Sequence, residues 1–186
     1  MSKAAQGPEF EYCTDLRSVN MTEISGGWMN REIFVSLRRT CIMMAVFAGS
    51  FILIYGGVVA LTKFVYIYFR GFIPDFNENI LRAVFYAVSF ASFAAFRILS
   101  RKRYSPEGLR GRLKDPDTLV KHLLMTPVIG MALAEAVLIS AFFLFFLSAM
   151  YIDFIILALL SSAMIIMSVP GVQFLENRVN EAGKGL

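Results

Sequence analysis

Hydrophobic residues fall in four long blocks along the chain, separated by shorter polar segments. The blocks cover residues 41–61, 80–99, 123–150 and 154–174. A helix needs about 20 apolar residues to cross the hydrocarbon core of a bilayer, and each block reaches that length. Only helices and closed barrels satisfy their own peptide groups in lipid. The pattern therefore predicts an all-α integral membrane protein with four transmembrane helices.

The first and second blocks each leave an alternative open. Residues 30–40 (NREIFVSLRRT) mix apolar and basic side chains, which fits either an amphipathic stretch at the membrane interface or the first turns of the first span. The second block has a charge-free centre of only 14 residues, Ala83–Phe96. It is predicted to span the membrane if Arg82 and Arg97 extend their stems to opposite surfaces. A buried or re-entrant helix is the alternative.

The polar segments complete the predicted organisation. Residues 1–29 lack hydrophobic periodicity and are predicted to form a disordered tail. The transmembrane domain then covers residues 30–175, and residues 176–186 form a second polar tail. The one substantial polar loop inside the domain covers residues 100–121.

Local signals mark where the helices begin and end. Asp115-Pro116 is typical of a helix start, with Asp as the N-cap and Pro at the first helical position. Tyr151–Asp153 is predicted to form a tight turn between the third and fourth spans. Pro170-Gly171 is expected to end or kink the fourth span in its last turns.

Basic residues are distributed unequally between the two sides of the predicted bundle. With the N-terminus in the cytoplasm, 15 of the 18 Lys and Arg residues lie on the cytoplasmic side, and only Lys63, Arg70 and Arg82 lie on the other. The positive-inside rule then predicts an N-in/C-in protein of the bacterial inner membrane. The basic loop is expected to contact anionic lipid headgroups. The residues expected at the headgroups are Arg101, Lys102, Arg103, Arg110, Arg112 and Lys114.

Composition excludes several classes of function. With 57% hydrophobic and 17% charged residues, the chain is too apolar for a soluble domain. Its only cysteines are Cys13 and Cys41 and its only histidine is His122, so no metal site or disulfide framework is predicted. No nucleotide-binding, metalloprotease or serine-hydrolase motif occurs. We therefore expect no enzymatic activity and no cofactor, and we do not expect nucleic acid as a partner.

The third block carries one acidic residue, Glu135, 12 residues beyond Leu123. At 1.5 Å per residue it lies ~18 Å along the helix, close to the middle of a ~30 Å hydrocarbon core. An ionisable side chain at that depth is costly and marks a candidate functional site. A neutral carboxyl group hydrogen-bonded to a hydroxyl at similar depth is one solution. The hydroxyl groups at that depth belong to Ser50, Tyr55, Ser89, Ser92, Ser161 and Ser162.

Two interpretations of Glu135 stay open. In the first, its carboxyl group takes up and releases a proton or a sodium ion. In the second, it is a neutral side chain that joins helices through a hydrogen bond. Small residues in the second and third spans allow close helix packing, either within the chain or between copies in a homo-oligomer or larger complex. They are Ala87, Ala91, Ala95, Gly130, Ala132, Ala134 and Ala136.

Residues 126–140 (TPVIGMALAEAVLIS) resemble the outer helix of subunit c, the membrane rotor subunit of rotary ATP synthases. The matching positions are Pro127, Gly130, Ala132, Ala134, Glu135 and Ala136. The resemblance implies that Glu135 binds the translocated ion and that the second and third spans form the rotor hairpin. The chain departs from that family in lacking its inner-helix glycine repeat and its Arg-Gln-Pro loop. It also has two further spans.

The whole chain also resembles a family of small bacterial four-span membrane proteins. The shared features are an LRRT-like start before the first span and an ALAEA-like segment in the third. This resemblance implies an architecture and no activity. Two functions are therefore expected: a rotor-like subunit that binds an ion at Glu135, or an accessory subunit that scaffolds a membrane complex, with Glu135 structural.

Overall fold

The structure is a computed structural model that describes residues 31–66, 68–73, 77–113 and 115–183. The predicted disordered tail and Lys114, a predicted headgroup contact, lie outside the described residues. Six helices form the described part, and it contains no strand. They are α1 (Arg31–Val65), α2 (Glu78–Arg103), α3 (Pro106–Arg110), α4 (Pro116–Ser148), α5 (Tyr151–Ser168) and α6 (Val172–Gly183).

Four of these helices, α1, α2, α4 and α5, are long and apolar enough to cross a membrane. The prediction of an all-α protein with four membrane-spanning helices is thereby confirmed, while the side on which the termini lie stays a prediction. Residues 31–40 belong to the same unbroken helix as the first span. With 26 residues, α2 is about 39 Å long, which favours a full span over a re-entrant helix.

The helix α4 is the centre of the bundle and packs against α5, α2 and α1. Half of its most hydrophobic stretch is buried, compared with 39% for α5 and 11% for each of α1 and α2. A helix with neighbours on several sides needs apolar residues around most of its circumference. Leu138, Leu144 and Phe145 meet that need and are fully buried.

The reversal between α4 and α5 is made by Ala149 and Met150. Ala149 adopts the left-handed conformation (φ 55°), and its N–H donates to the Phe145 carbonyl at 2.7 Å. Left-handed backbone costs an L-residue roughly 1–2 kcal/mol. The prediction of a turn at Tyr151–Asp153 is wrong, because α5 already begins at Tyr151 and Asp153 lies in its first turn.

The connection between α1 and α2 docks its backbone on the end of α4. The Phe72 and Ile73 N–H groups donate to the Phe146 and Leu147 carbonyls at 2.9 and 3.0 Å. These carbonyls belong to the last turn of α4, which has no partners for them within the helix. Gly71 has φ +88°, and a Cβ there would collide with the Leu147 backbone, so this position needs glycine.

Aromatic rings surround this junction, so we call it the aromatic end of the bundle. Phe69 packs against Phe72, Phe145 and Phe146, with ring centroids 5.7–6.0 Å apart.

The opposite end, where α2 and α5 end and α4 begins, carries the loop 100–121, and we call it the basic end. The predicted helix start at Asp115 is confirmed there. Its side chain accepts from the Asp117 N–H at 3.2 Å and from the Thr118 hydroxyl, which holds the pKa of Asp115 below its usual value.

The polar C-terminal segment also forms a helix at the basic end. Pro170 has no N–H to continue a helix, and α5 ends at Ser168, before the predicted limit of residue 174. The chain resumes as α6, which buries Leu175, Val179 and Ala182 and packs against α1 and α3. Residues 176–183, which the sequence predicts as part of a polar tail, thus belong to a helix that packs on the bundle.

Candidate functional site: two carboxylates in the bundle

Glu135 lies on α4 at the border between its buried and exposed faces. Ala134 and Leu138 beside it are fully buried, whereas Ala132 and Ala136 are exposed. The Glu135 Oε2 atom is buried and has no hydrogen-bond partner among the described residues. A buried polar atom without a partner costs about 1–3 kcal/mol and is rare in folded proteins. The described residues thus supply no hydrogen bond to this atom.

None of the hydroxyl groups predicted as partners forms a hydrogen bond with Glu135 in the described part of the chain. Four of the serines donate to a backbone carbonyl three or four residues earlier in their own helix, as helical serines commonly do. These bonds measure 2.6 Å for Ser50, 2.8 Å for Ser89, 2.9 Å for Ser92 and 2.8 Å for Ser162. The Tyr55 ring instead packs against Phe142, with centroids 4.7 Å apart.

Ser161 makes a different contact and joins two helices. Its hydroxyl donates to the Ala134 carbonyl at 2.8 Å, and the bond is buried. Since Ala134 directly precedes Glu135, this hydrogen bond fixes α5 against α4 at the depth of the carboxyl group. Ser161 therefore positions the backbone that carries Glu135, without contacting its side chain.

The small residues of the second and third spans divide into two groups. Gly130 is buried where α4 meets α2 and α5, and a Cβ there would lie 2.8 Å from the Phe96 ring and would also collide with the Ser168 hydroxyl. Ala134 is fully buried as well. The others are exposed on the bundle surface: Ala87, Ala91, Ala95, Ala132 and Ala136. Only the first group brings helices of this chain together.

A second carboxylate, Asp153, lies near the aromatic end and has partners for both oxygens. The Arg82 guanidinium donates from Nε to Oδ2 at 3.0 Å, and the Tyr86 hydroxyl donates to Oδ1 at 3.0 Å. Asp153 itself is buried, with 7% of its surface exposed, whereas the Arg82 side chain is 46% exposed. The cluster ties the first turns of α2 to the first turn of α5.

Sequence reasoning missed this cluster. The sequence pattern predicts Asp153 in a turn and Arg82 extended to a membrane surface, and it does not pair the two residues. Both residues lie within two turns of the start of their helices, and both helices start at the aromatic end. Counting depth from the helix starts was the available signal, but the wrong turn prediction removed Asp153 from the helix.

The predicted headgroup residues differ in exposure. Arg101, Lys102 and Arg110 are exposed at the basic end, whereas Arg103 and Arg112 are partly buried. The Arg112 guanidinium donates to the Gly108 carbonyl at 2.5 Å. His122 Nε2 lies 3.2 Å from the Arg103 carbonyl. Arg112, Arg103 and His122 thus take part in contacts that hold the loop itself.

Among the described residues, no group of three or more His, Cys, Asp or Glu side chains is arranged to hold a metal ion. Comparison of the sequence with protein-family models finds no matching family, and searches of curated proteins and of solved structures find no similar chain.

Proposed function

We propose that this chain is a rotor-like membrane subunit whose Glu135 binds a proton or a monovalent cation near the middle of the bilayer. The observation that carries the proposal is the buried Oε2 atom without a hydrogen-bond partner among the described residues. Glu135 lies about 18 Å from Leu123 and about 20 Å from Ser148 along α4. A bound proton or cation supplies the compensation that a carboxyl group at this depth needs.

The position of Glu135 on α4 also supports exchange of the ion. Ala132, Ala136 and Ile139 form an exposed strip beside it, and Ile139 is 39% exposed. The small alanines leave room for another helix to approach the carboxyl group. A stationary partner, or the next copy in a ring, would reach the ion there. In this proposal the protein lies in the bacterial inner membrane with both termini cytoplasmic, as its basic residues predict.

A second candidate function is supported by the surface of α2. Ala87, Ala91 and Ala95 recur every four residues and are exposed. In lipid, small residues at this spacing let a second helix approach closely. In this alternative the chain is an accessory subunit that scaffolds a membrane complex, and a partner chain supplies the hydrogen bond that Glu135 lacks.

Labelling with a membrane-permeant carbodiimide tests the first proposal. The reagent attacks carboxyl groups that carry a proton in an apolar environment, and mass spectrometry of the protein in lipid bilayers locates the adduct. We expect one adduct at Glu135. If added sodium prevents the adduct, the bound ion is a cation, and if sodium has no effect, it is a proton. The adduct should be absent in Glu135→Gln and retained in the matched control Glu107→Gln, since Glu107 is an exposed residue of α3. No adduct at Glu135 with or without cation would contradict the proposal.

Native mass spectrometry in mild detergent separates the two candidate functions. A ring of many identical copies is the expected result for a rotor-like subunit, because the ion must pass between successive carboxyl groups. A monomer or dimer that co-purifies with a different membrane protein would overturn the rotor proposal and favour the accessory subunit.

A further inference from the structure

A cavity of about 630 Å³ opens at the basic end of the bundle, between the last turns of α2 and α5 and the first turns of α6. Its volume falls within the range of roughly 300–1,000 Å³ that is usual for ligand pockets in proteins. One part of its lining is basic and comes from Arg97, Arg101 and Arg178. Another part is apolar and includes Phe96, Met167 and Phe174. This cavity is separate from Glu135 and Asp153.

The basic part of the cavity carries a concentrated positive charge. Arg97 and Arg101 lie one turn apart on the same face of α2, and α6 contributes Arg178. The described residues that line the cavity include no acidic side chain. Arg178 pairs at 3.0 Å with Glu181, but both side chains are about half exposed, so this pair is weak and leaves the guanidinium able to bind an anion.

Helix ends do not cancel this charge. The C-termini of α2 and α5 contribute partial negative charges at the cavity, and the N-terminus of α6 contributes a partial positive charge. Each of these amounts to about half an elementary charge. The three full guanidinium charges therefore make the net charge around the cavity positive, and the cavity attracts anions. Phosphate is the anion whose geometry suits several guanidinium groups at once.

Tyr104 lines the same cavity with its ring, whereas its hydroxyl is shielded from the open volume and lies beside Thr126. The ring packs edge-on against Phe174, with centroids 5.5 Å apart, and the Arg178 guanidinium lies 5.4 Å from the same Phe174 ring. These contacts hold Phe174 and Arg178 in the wall of the cavity.

The apolar part of the cavity indicates what the anion is attached to. Met167 and Phe174 are 45% and 41% exposed, although both are large apolar side chains. Met167 lies in the last turn of a candidate membrane span, so the cavity sits where hydrocarbon meets headgroups. A molecule with an acyl chain next to an anionic group covers these side chains and neutralises the arginines together. A free phosphate does only the second.

We propose that this cavity is a binding site for an anionic phospholipid. Arg97, Arg101 and Arg178 hold the phosphate group. The first methylene groups of the acyl chains cover Met167 and Phe174. The site is thus more specific than the general attraction between the basic loop and a negatively charged membrane surface.

Native mass spectrometry of the purified protein with added phosphatidylglycerol tests this proposal. The variant R97Q/R101Q/R178Q removes three charges from the cavity. The matched control R39Q/K102Q/R110Q removes three exposed charges from residues outside it. We expect the cavity variant to bind the lipid at least about tenfold more weakly, and the control to bind within about twofold of the unmodified protein. An equal loss in both variants would show that charge alone attracts the lipid and would overturn the site.

Competition distinguishes a lipid phosphate from a free phosphate. Glycerol phosphate, inorganic phosphate and phosphatidylcholine are added separately to the complex with phosphatidylglycerol. We expect none of the three to displace the bound lipid at equal concentration, since the first two lack acyl chains and the third lacks net charge. Displacement by glycerol phosphate or inorganic phosphate would overturn the lipid assignment in favour of a soluble phosphate ester.

Discussion

Two carboxylates lie on long apolar helices of this bundle, and their surroundings differ sharply. Both oxygens of Asp153 accept hydrogen bonds, from Arg82 and Tyr86. The Oε2 atom of Glu135 accepts none from the described residues. Removing one partner from a buried charged pair is strongly destabilising, because the other charge is left without compensation. We infer that Asp153 serves the fold, whereas Glu135 serves an interaction with something outside the chain.

The position of each carboxylate in the bundle agrees with this division. Asp153 lies at the aromatic end, where the α1–α2 connection is hydrogen-bonded to the end of α4. Glu135 lies near the middle of α4, beside exposed alanines. Four substitutions test the contrast between the hydrogen-bonded aromatic end and the Glu135 carboxyl group. Each is measured as a change in the free energy of unfolding in mild detergent.

The largest loss of unfolding free energy is expected at the aromatic end, for Gly71→Ala. Alanine at φ +88° is strained by roughly 1–2 kcal/mol, and its Cβ would push the connection away from Leu147 and weaken two hydrogen bonds worth about 1 kcal/mol each. We expect a loss of about 3 kcal/mol. Gly57→Ala is the control, because a Cβ at Gly57 meets open space within α1 and should not destabilise. Equal stability of the two variants would mean that the hydrogen bonds between the α1–α2 connection and α4 do not stabilise the fold.

A smaller loss, about 2 kcal/mol, is expected for Asp153→Asn. Buried ion pairs lose about 3–5 kcal/mol when one partner is removed, and the value is reduced here because Arg82 is half exposed. A double-mutant cycle with Arg82→Gln isolates the contribution of the pair. The exposed pair Arg178–Glu181 supplies the control, Glu181→Gln, with an expected loss below about 0.5 kcal/mol. If Asp153→Asn cost no more than the control, the cluster would not stabilise the fold.

Tyr86→Phe should cost about 1 kcal/mol, since it removes one hydrogen bond to Asp153 and leaves the ion pair. Tyr55→Phe is the control, because the Tyr55 ring packs against Phe142 and its hydroxyl is not a partner of the Glu135 Oε2 atom among the described residues. We expect a change within about 0.5 kcal/mol. A loss at Tyr55 equal to that at Tyr86 would show that the hydrogen bond to Asp153 has no particular weight.

Local pattern was enough to predict the four spans and the helix start at Asp115, because length, hydropathy and capping are read from neighbouring residues. It was not enough for the reversal at Ala149, where no Gly or Pro marks the left-handed residue. The helix α6 was missed because its buried face consists of Leu175, Val179 and Ala182, which are separated by mostly polar residues.

The candidate sites show the same limit. The depth of Glu135 follows from counting residues along one helix. Its hydrogen-bond partners do not follow from such a count, because a serine hydroxyl can donate either to a carbonyl of its own helix or to one of a neighbouring helix. The pair Arg82–Asp153 joins residues 71 positions apart and depends on how two helices are aligned in depth. Alignment of that kind is fixed by packing around α4, which no short segment encodes.

The most direct measurement is the unfolding free energy of Glu135→Gln, determined beside Asp153→Asn in the same detergent. Glutamine keeps the shape of the side chain and removes its charge. We predict a stability within about 0.5 kcal/mol of the unmodified protein, or slightly above it, because no hydrogen bond to Oε2 is lost. A loss of about 2 kcal/mol, like that expected for Asp153→Asn, would make Glu135 a structural group and would contradict its proposed role in binding an ion.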